Sequence, residues 1–199
     1  MNKVTFVRNS VLIAILALAA EHSISIAATN LVENPGFETG DFTGWTQSGN
    51  TSFFSVTNDA RRSGAFGGSF GPIGTELGFL SQTLATTPGE TYQLEYWLSN
   101  LSSANNAFQV SWNGTILTSL ADADAFDFTP FTFSGLTATG SSTTLSFGFL
   151  NPPNFWYLDD VSVVAASTPP PNGVPDAGSS VFLMIVGLAA LVGARRRRR

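Results

Sequence analysis

The stretch Thr91-Tyr92-Gln93-Leu94-Glu95-Tyr96-Trp97-Leu98 decides the fold of this 199-residue chain. Its even positions are apolar and its odd positions mostly polar. Side chains alternate across a strand with a period of two, so this stretch reads as a strand with one face in a core. The same period recurs downstream. Phe108, Val110 and Trp112 alternate with Gln109 and Ser111, and Asn113-Gly114 supplies the pair that type I′ hairpin turns favour. Residues 116–120 return from that turn. Phe131 and Phe133 continue the pattern, as do Leu145, Phe147 and Phe149, then Val161 and Val163. Pro88-Gly89 and Gly140-Ser141-Ser142 are turns between them. No convincing amphipathic helix interrupts the body. Short strands at this spacing predict an all-β sandwich.

Both ends of the chain differ from this body. At the C-terminus, Val174-Pro175-Asp176-Ala177-Gly178-Ser179-Ser180 precedes fourteen residues without a charge (181–194) and five arginines (195–199). Arginines this dense stay on the cytoplasmic side of a bilayer, so everything before Val174 is expected to face outward. Counted from Ala177, a helix over residues 177–194 spans roughly 27 Å, close to a hydrocarbon core of about 30 Å. At the N-terminus, Lys3 and Arg8 form a positive region ahead of an apolar run at residues 11–20. Small residues at Ser25-Ile26-Ala27 place a signal-peptide cleavage after Ala27, with Ala28 nearly as good. The expected organisation is a signal peptide (1–27), a β-sandwich domain (28–166), a stiff linker containing Pro169-Pro170-Pro171 (167–173) and a C-terminal signal (174–199) with a single transmembrane helix.

The tail resembles the PEP-CTERM class of bacterial sorting signals, and Val174-Pro175-Asp176-Ala177-Gly178 is closest to its Val-Pro-Asp-Ser-Gly variant. That resemblance implies processing by an exosortase-type enzyme in the inner membrane. It also implies passage to the cell surface or extracellular matrix. A plain C-terminal membrane anchor is the alternative.

Once the two ends are set aside, composition excludes much chemistry. Between residues 28 and 173 only Arg61 and Arg62 are basic, against twelve acidic residues, a net charge of −10. A nucleic-acid binder needs cations to displace counterions from phosphate, and this body has almost none. There is no cysteine, the body has no lysine, and the only histidine, His22, lies in the signal peptide. Serine–histidine triads, thiolate nucleophiles and histidine-ligated zinc are therefore excluded from the mature protein. Hydrolysis of glycosides by a carboxylate pair stays open. Calcium, neutral glycans or simple solubility suit an acidic surface outside the cell.

Strand parity nominates a surface. Tyr92, Leu94, Tyr96 and Leu98 share the core face, and Gln93, Glu95 and Trp97 share the other. By the same count Gln109 faces outward with them. An indole flanked by amide and carboxylate groups suits a sugar, because the ring stacks on C–H patches while the polar groups bond hydroxyls. The alternative is a Trp97 that merely packs under a loop. Trp45, Trp112 and Trp156 read as packing residues.

A second resemblance covers the whole body. Asn34-Pro35-Gly36-Phe37-Glu38 and Gly44-Trp45 near its start, with Trp156-Tyr157-Leu158-Asp159-Asp160-Val161-Ser162-Val163 at its end, resemble galactose-binding-like jelly rolls, including many carbohydrate-binding modules. The resemblance implies neighbouring first and last strands tied by a structural calcium. Carried over, Glu38 and Asp159 supply carboxylates, Gly36 a carbonyl, and Asp59 a middle ligand. The alternative is that Glu38 and Asp159 cap turns and meet Arg61 or Arg62. The functional expectation is a non-catalytic protein that binds extracellular polysaccharide. Its alternatives are a purely structural surface protein and a small glycoside hydrolase.

Overall fold

The computed structural model describes residues 28–166, apart from 103 and 153. The expected signal peptide, linker, sorting motif and transmembrane helix lie outside these residues. The described chain forms ten strands: β1 (Thr46–Gly49), β2 (Phe54–Thr57), β3 (Gly67–Phe70), β4 (Gly78–Ala85), β5 (Thr91–Asn100), β6 (Ala107–Trp112), β7 (Thr115–Ala121), β8 (Phe126–Thr137), β9 (Ser142–Leu150) and β10 (Trp156–Ala165). They make two five-stranded sheets. Sheet A runs β1-β4-β9-β6-β7 and sheet B runs β2-β3-β10-β5-β8. Every pairing is antiparallel. This is the all-β sandwich that the alternation predicts, in the jelly-roll form that the resemblance implies.

The core lies between the sheets and is built on aromatic rings. Phe70 and Phe149 stack at 4.0 Å across the two layers, and Tyr96 meets Phe147 edge-on at 5.2 Å. Tyr92, Leu94, Tyr96 and Leu98 are all buried, as their parity requires. Each fully buried side chain of this size contributes about 1.5–3 kcal/mol. Trp45, Trp112 and Trp156 are buried as packing residues. Asn113 and Gly114 both adopt positive φ (49° and 82°) between β6 and β7, the backbone of a type I′ turn.

The two ends of the domain meet. Leu31 donates its backbone N–H to Val163 (2.8 Å), and Asn30 bonds Val161 and Val163 through its side chain. Val161 in turn donates to Pro35. The opening segment thus runs beside β10, and the residues that follow it, 36–38, lie against the Asp159-Asp160 end of that strand.

Candidate functional site

Strand β5 is held between β10 and β8 in sheet B. Its odd side chains point away from the core, so Gln93, Glu95 and Trp97 line the outward face and are half-buried. Trp97 lies in register with Asp159 on β10 and Pro130 on β8. Glu95 sits between Ser162 and Thr132. Gln93 is approached by the Ser134 hydroxyl at 3.5 Å.

The loop following β2 reaches over this face. The Arg62 guanidinium sits 3.7 Å from the centroid of the Trp97 ring and pairs with Asp160 at 2.8 Å. Two carboxylates hold that loop through its backbone. Oδ2 of Asp159 accepts from the N–H groups of Arg62 (2.6 Å) and Ser63 (3.0 Å). Glu38 accepts from Ala65 (2.9 Å) and Phe66 (3.3 Å). The Ser63 hydroxyl donates to Asp160 at 2.7 Å. Gly64 is needed here, since its φ is +62° and a Cβ would collide with the Glu38 carboxylate.

A β-bulge explains how adjacent acids serve one loop. The register of β10 against β5 shifts between Asp159 and Ser162, and Asp160 has φ 50°. A bulge re-aims the side chains around it. Asp159 is wholly buried while Asp160 remains partly exposed. Burial pushes the Asp159 carboxyl up to about 6, against the opposing pull of its bonds from Ser63, Arg62 and Asp160.

Two further aromatic side chains join the face. Tyr157 on β10 and Phe128 on β8 lie 6.5 Å apart with their rings 28° from parallel, flanking the buried Ser99 of β5. Both are half-buried. Burial raises the Tyr157 pKa, with the Asp59 carboxylate adding to the effect. Tyr157 follows from parity, because Trp156 and Leu158 on either side of it point inward. Phe128 follows likewise, two residues before the outward Pro130 and opposite in parity to the inward Phe131 and Phe133; the register shift of β8 between Leu98 and Asn100 instead turns Phe126 inward.

One expected member is elsewhere. Gln109 does point outward, but β6 belongs to sheet A, where Gln109 pairs with Gly148 and Ser119. It lies on the opposite side of the sandwich from Trp97. Parity assigns a face within a strand and says nothing about which sheet the strand joins.

The four residues expected to hold calcium are only partly together. Gly36 abuts Asp159, since a Cβ on it would lie 3.3 Å from Oδ1. Asp159 and Glu38 both reach the 62–66 loop. Among the described residues no three carboxylates converge where a metal ion could sit. Both key carboxylates point at N–H donors, which repel a cation. In this arrangement the donor set does not fit calcium.

No curated protein matches the chain by sequence. Residues 173–198 match the VPDSG-CTERM motif. That sorting motif fits an exported protein anchored transiently in the membrane and then released to the cell surface. Solved structures resemble the domain at low identity. TmCBM61, solved with β-1,4-galactotriose, aligns at 19% identity and a TM-score of 0.58, over 70% of this chain and all of the other. The CBM22-1 xylan-binding domain of Xyn10C from Paenibacillus barcinonensis aligns at 16% and 0.53, over 72% and 98%. The enzymatically active domain of tailspike protein 4 of bacteriophage CBA120 aligns at 14% and 0.52, over 69% of this chain but 21% of the other. These likenesses establish the fold, a jelly roll shared with carbohydrate-binding modules, and it precedes the C-terminal sorting motif.

Proposed function

We propose that this chain is an exported, non-catalytic protein that binds extracellular polysaccharide on the outward face of sheet B around Trp97. The observation that supports the reading most is a half-exposed indole sharing one strand face with Gln93 and Glu95. Tyr157 and Phe128 extend the same face into an aromatic platform. Pyranose rings present C–H patches to aromatic faces and hydroxyls to amides and carboxylates, so this residue mixture suits them. Two of the similar structures are sugar binders by their own descriptions, which agrees with the reading.

A binding role fits the acids better than catalysis does. A glycosidase needs two free carboxyl groups flanking the scissile bond. Asp159 and Glu38 are engaged by backbone N–H groups and Asp160 by Arg62. Glu95 is the carboxylate on β5 beside Trp97. An exosortase-type enzyme acting on the sorting tag is the proposed processing partner.

Screening the purified domain on a glycan array beside Trp97→Ala tests the reading. The expected result is retention of at least one polysaccharide by the wild type and a loss of roughly 30-fold or more in the variant, the cost of a hot-spot residue. Binding that survives Trp97→Ala undiminished would remove this face from the assignment. Calcium binding is a separate proposal at Gly36, Glu38, Asp59 and Asp159, and it requires the 62–66 loop to release both carboxylates. A calcium-loaded domain gains about 2.7 kcal/mol at 100 times the dissociation constant. Equal melting temperatures in chelator and in millimolar calcium would leave the N–H contacts as the only joint.

A further inference from the structure

The outward face of sheet A carries no charge. None of its five strands contains an aspartate, glutamate, lysine or arginine. The body has twelve acids, so this is a large bare area on a strongly anionic domain. Sheet B differs, with Glu95, Asp127, Asp159 and Asp160 in its strands.

The bare face is not featureless. Ser81, Ser146 and Ser111 lie in register across β4, β9 and β6. The next outward row runs Phe79, Gly148 and Gln109. Gly148 makes that row possible: a Cβ there would lie 2.9 Å from both the Phe79 ring and Cγ of Gln109. The ring and the amide therefore close over the glycine from opposite sides, and both are half-exposed. Ile116, 56% exposed, stands beside Ser111 on the neighbouring strand. The face thus combines hydroxyls, one amide and two apolar groups, all without charge.

We infer that this face is a second binding surface, for an uncharged polysaccharide, and that the domain bridges two polysaccharide chains. A polymer of hydroxyls and C–H patches matches a face of the same chemistry. A polyanion meets a body of net charge −10 with nothing cationic on this side. The Trp97 face and the Phe79 and Gln109 face lie on opposite sides of one rigid sandwich, so one chain held on each side is cross-linked by a single domain. The bridging rests on the Trp97 reading; the sheet A surface does not.

The test uses the purified domain, whose oligomeric state is first measured by sedimentation and is expected to be monomeric. The probes are soluble galactan, mixed-linkage β-glucan and mannan, with polygalacturonate as the charged control. Wild type is expected to bind at least one uncharged polymer and to precipitate it. Trp97→Ala, weakened by the loss expected above, and the double variant Phe79→Ala with Gln109→Ala are each expected to keep the weaker binding of the remaining face and to lose precipitation. Gly148→Ala, which pushes the ring and the amide apart without touching the core, repeats the sheet A arm should the double variant unfold. Loss of all binding in Trp97→Ala, with none lost in the sheet A variants, overturns the second surface and leaves the first. Loss confined to the sheet A variants overturns the bridging and the Trp97 reading together, while the sheet A surface stands. Retention of polygalacturonate alone, or a wild-type dimer that the sheet A variants dissolve, overturns the inference, the latter by making this face an interface between copies.

Discussion

Replacing Arg62 with alanine separates the loop's anchor from its reach over the ring. The backbone N–H of Arg62 still bonds Asp159, as does that of Ser63, so the loop keeps its attachment. What is lost is the guanidinium 3.7 Å above Trp97 and its 2.8 Å pair with Asp160. A cation over an exposed ring contributes about 0.5–1 kcal/mol. An ion pair whose side chains are 37% and 27% exposed contributes about 0–1 kcal/mol. The expected cost is therefore about 0.5–2 kcal/mol, a fall in melting temperature of roughly 1–8 °C for a domain of this size. The sharper readout is fluorescence. Trp45, Trp112 and Trp156 are exposed at only 8%, 5% and 0%, so acrylamide reaches chiefly Trp97. Arg62→Ala should raise the quenching constant of that accessible component, and Arg62→Lys should raise it less. Unchanged quenching with an unchanged melting temperature would show that the guanidinium does not cover the ring. Trp97 would then be open to a sugar without any loop movement.

The Tyr96 hydroxyl is buried and has no hydrogen-bond partner among the described residues. Tyr96→Phe should stabilise the domain by about 1–2 kcal/mol in urea melts, since an unpaired buried polar group costs that much, and a loss of stability instead would reveal a bonded hydroxyl. Asp159, with its carboxyl at about 6 in the folded chain against an ordinary 3.8, holds its proton more tightly folded than unfolded. Its contribution is therefore full below about pH 4 and lost as pH rises through 6, and Asp159→Asn should flatten that part of the stability profile.

The second half of the fold could be read residue by residue, and the first half could not. Strands β5, β6 and β9 alternate over most of their length, as does β10 beyond its bulge, so parity places Tyr96, Val110, Phe147 and Val163 in the core, where they are. Strands β1 to β3 are four residues each, too short for a period to show. Within β4 the pattern is broken by Gln82, an amide at a core position. It is buried because it bonds both the N–H and the carbonyl of Glu33, at 2.8 and 3.0 Å. A polar residue can take a core place when the opening segment supplies its partners, and such a partnership across 49 positions has no local signature.

The same limit explains the site. Alternation is a property of one strand, and it correctly turned Gln93, Glu95, Trp97 and Gln109 outward. Sheet membership depends on which strands pair, and the jelly-roll order interleaves distant ones, so β5 and β6 are consecutive in the chain yet lie in different sheets. A hairpin reading puts Gln109 beside Trp97; the crossover puts it on the far side. The carboxylates follow a similar logic. Asp159 and Asp160 are neighbours whose strand parity alone would send one in and one out. The bulge instead lets both face the 61–66 loop, one through its backbone and one through Arg62 and Ser63. The carboxylates that the resemblance nominates for a metal hold, in this structure, the loop that lays an arginine on a tryptophan. Exposure of that ring is then set by a residue 62 positions away in the chain: Asp159 fixes the loop, and the loop lays Arg62 over the ring.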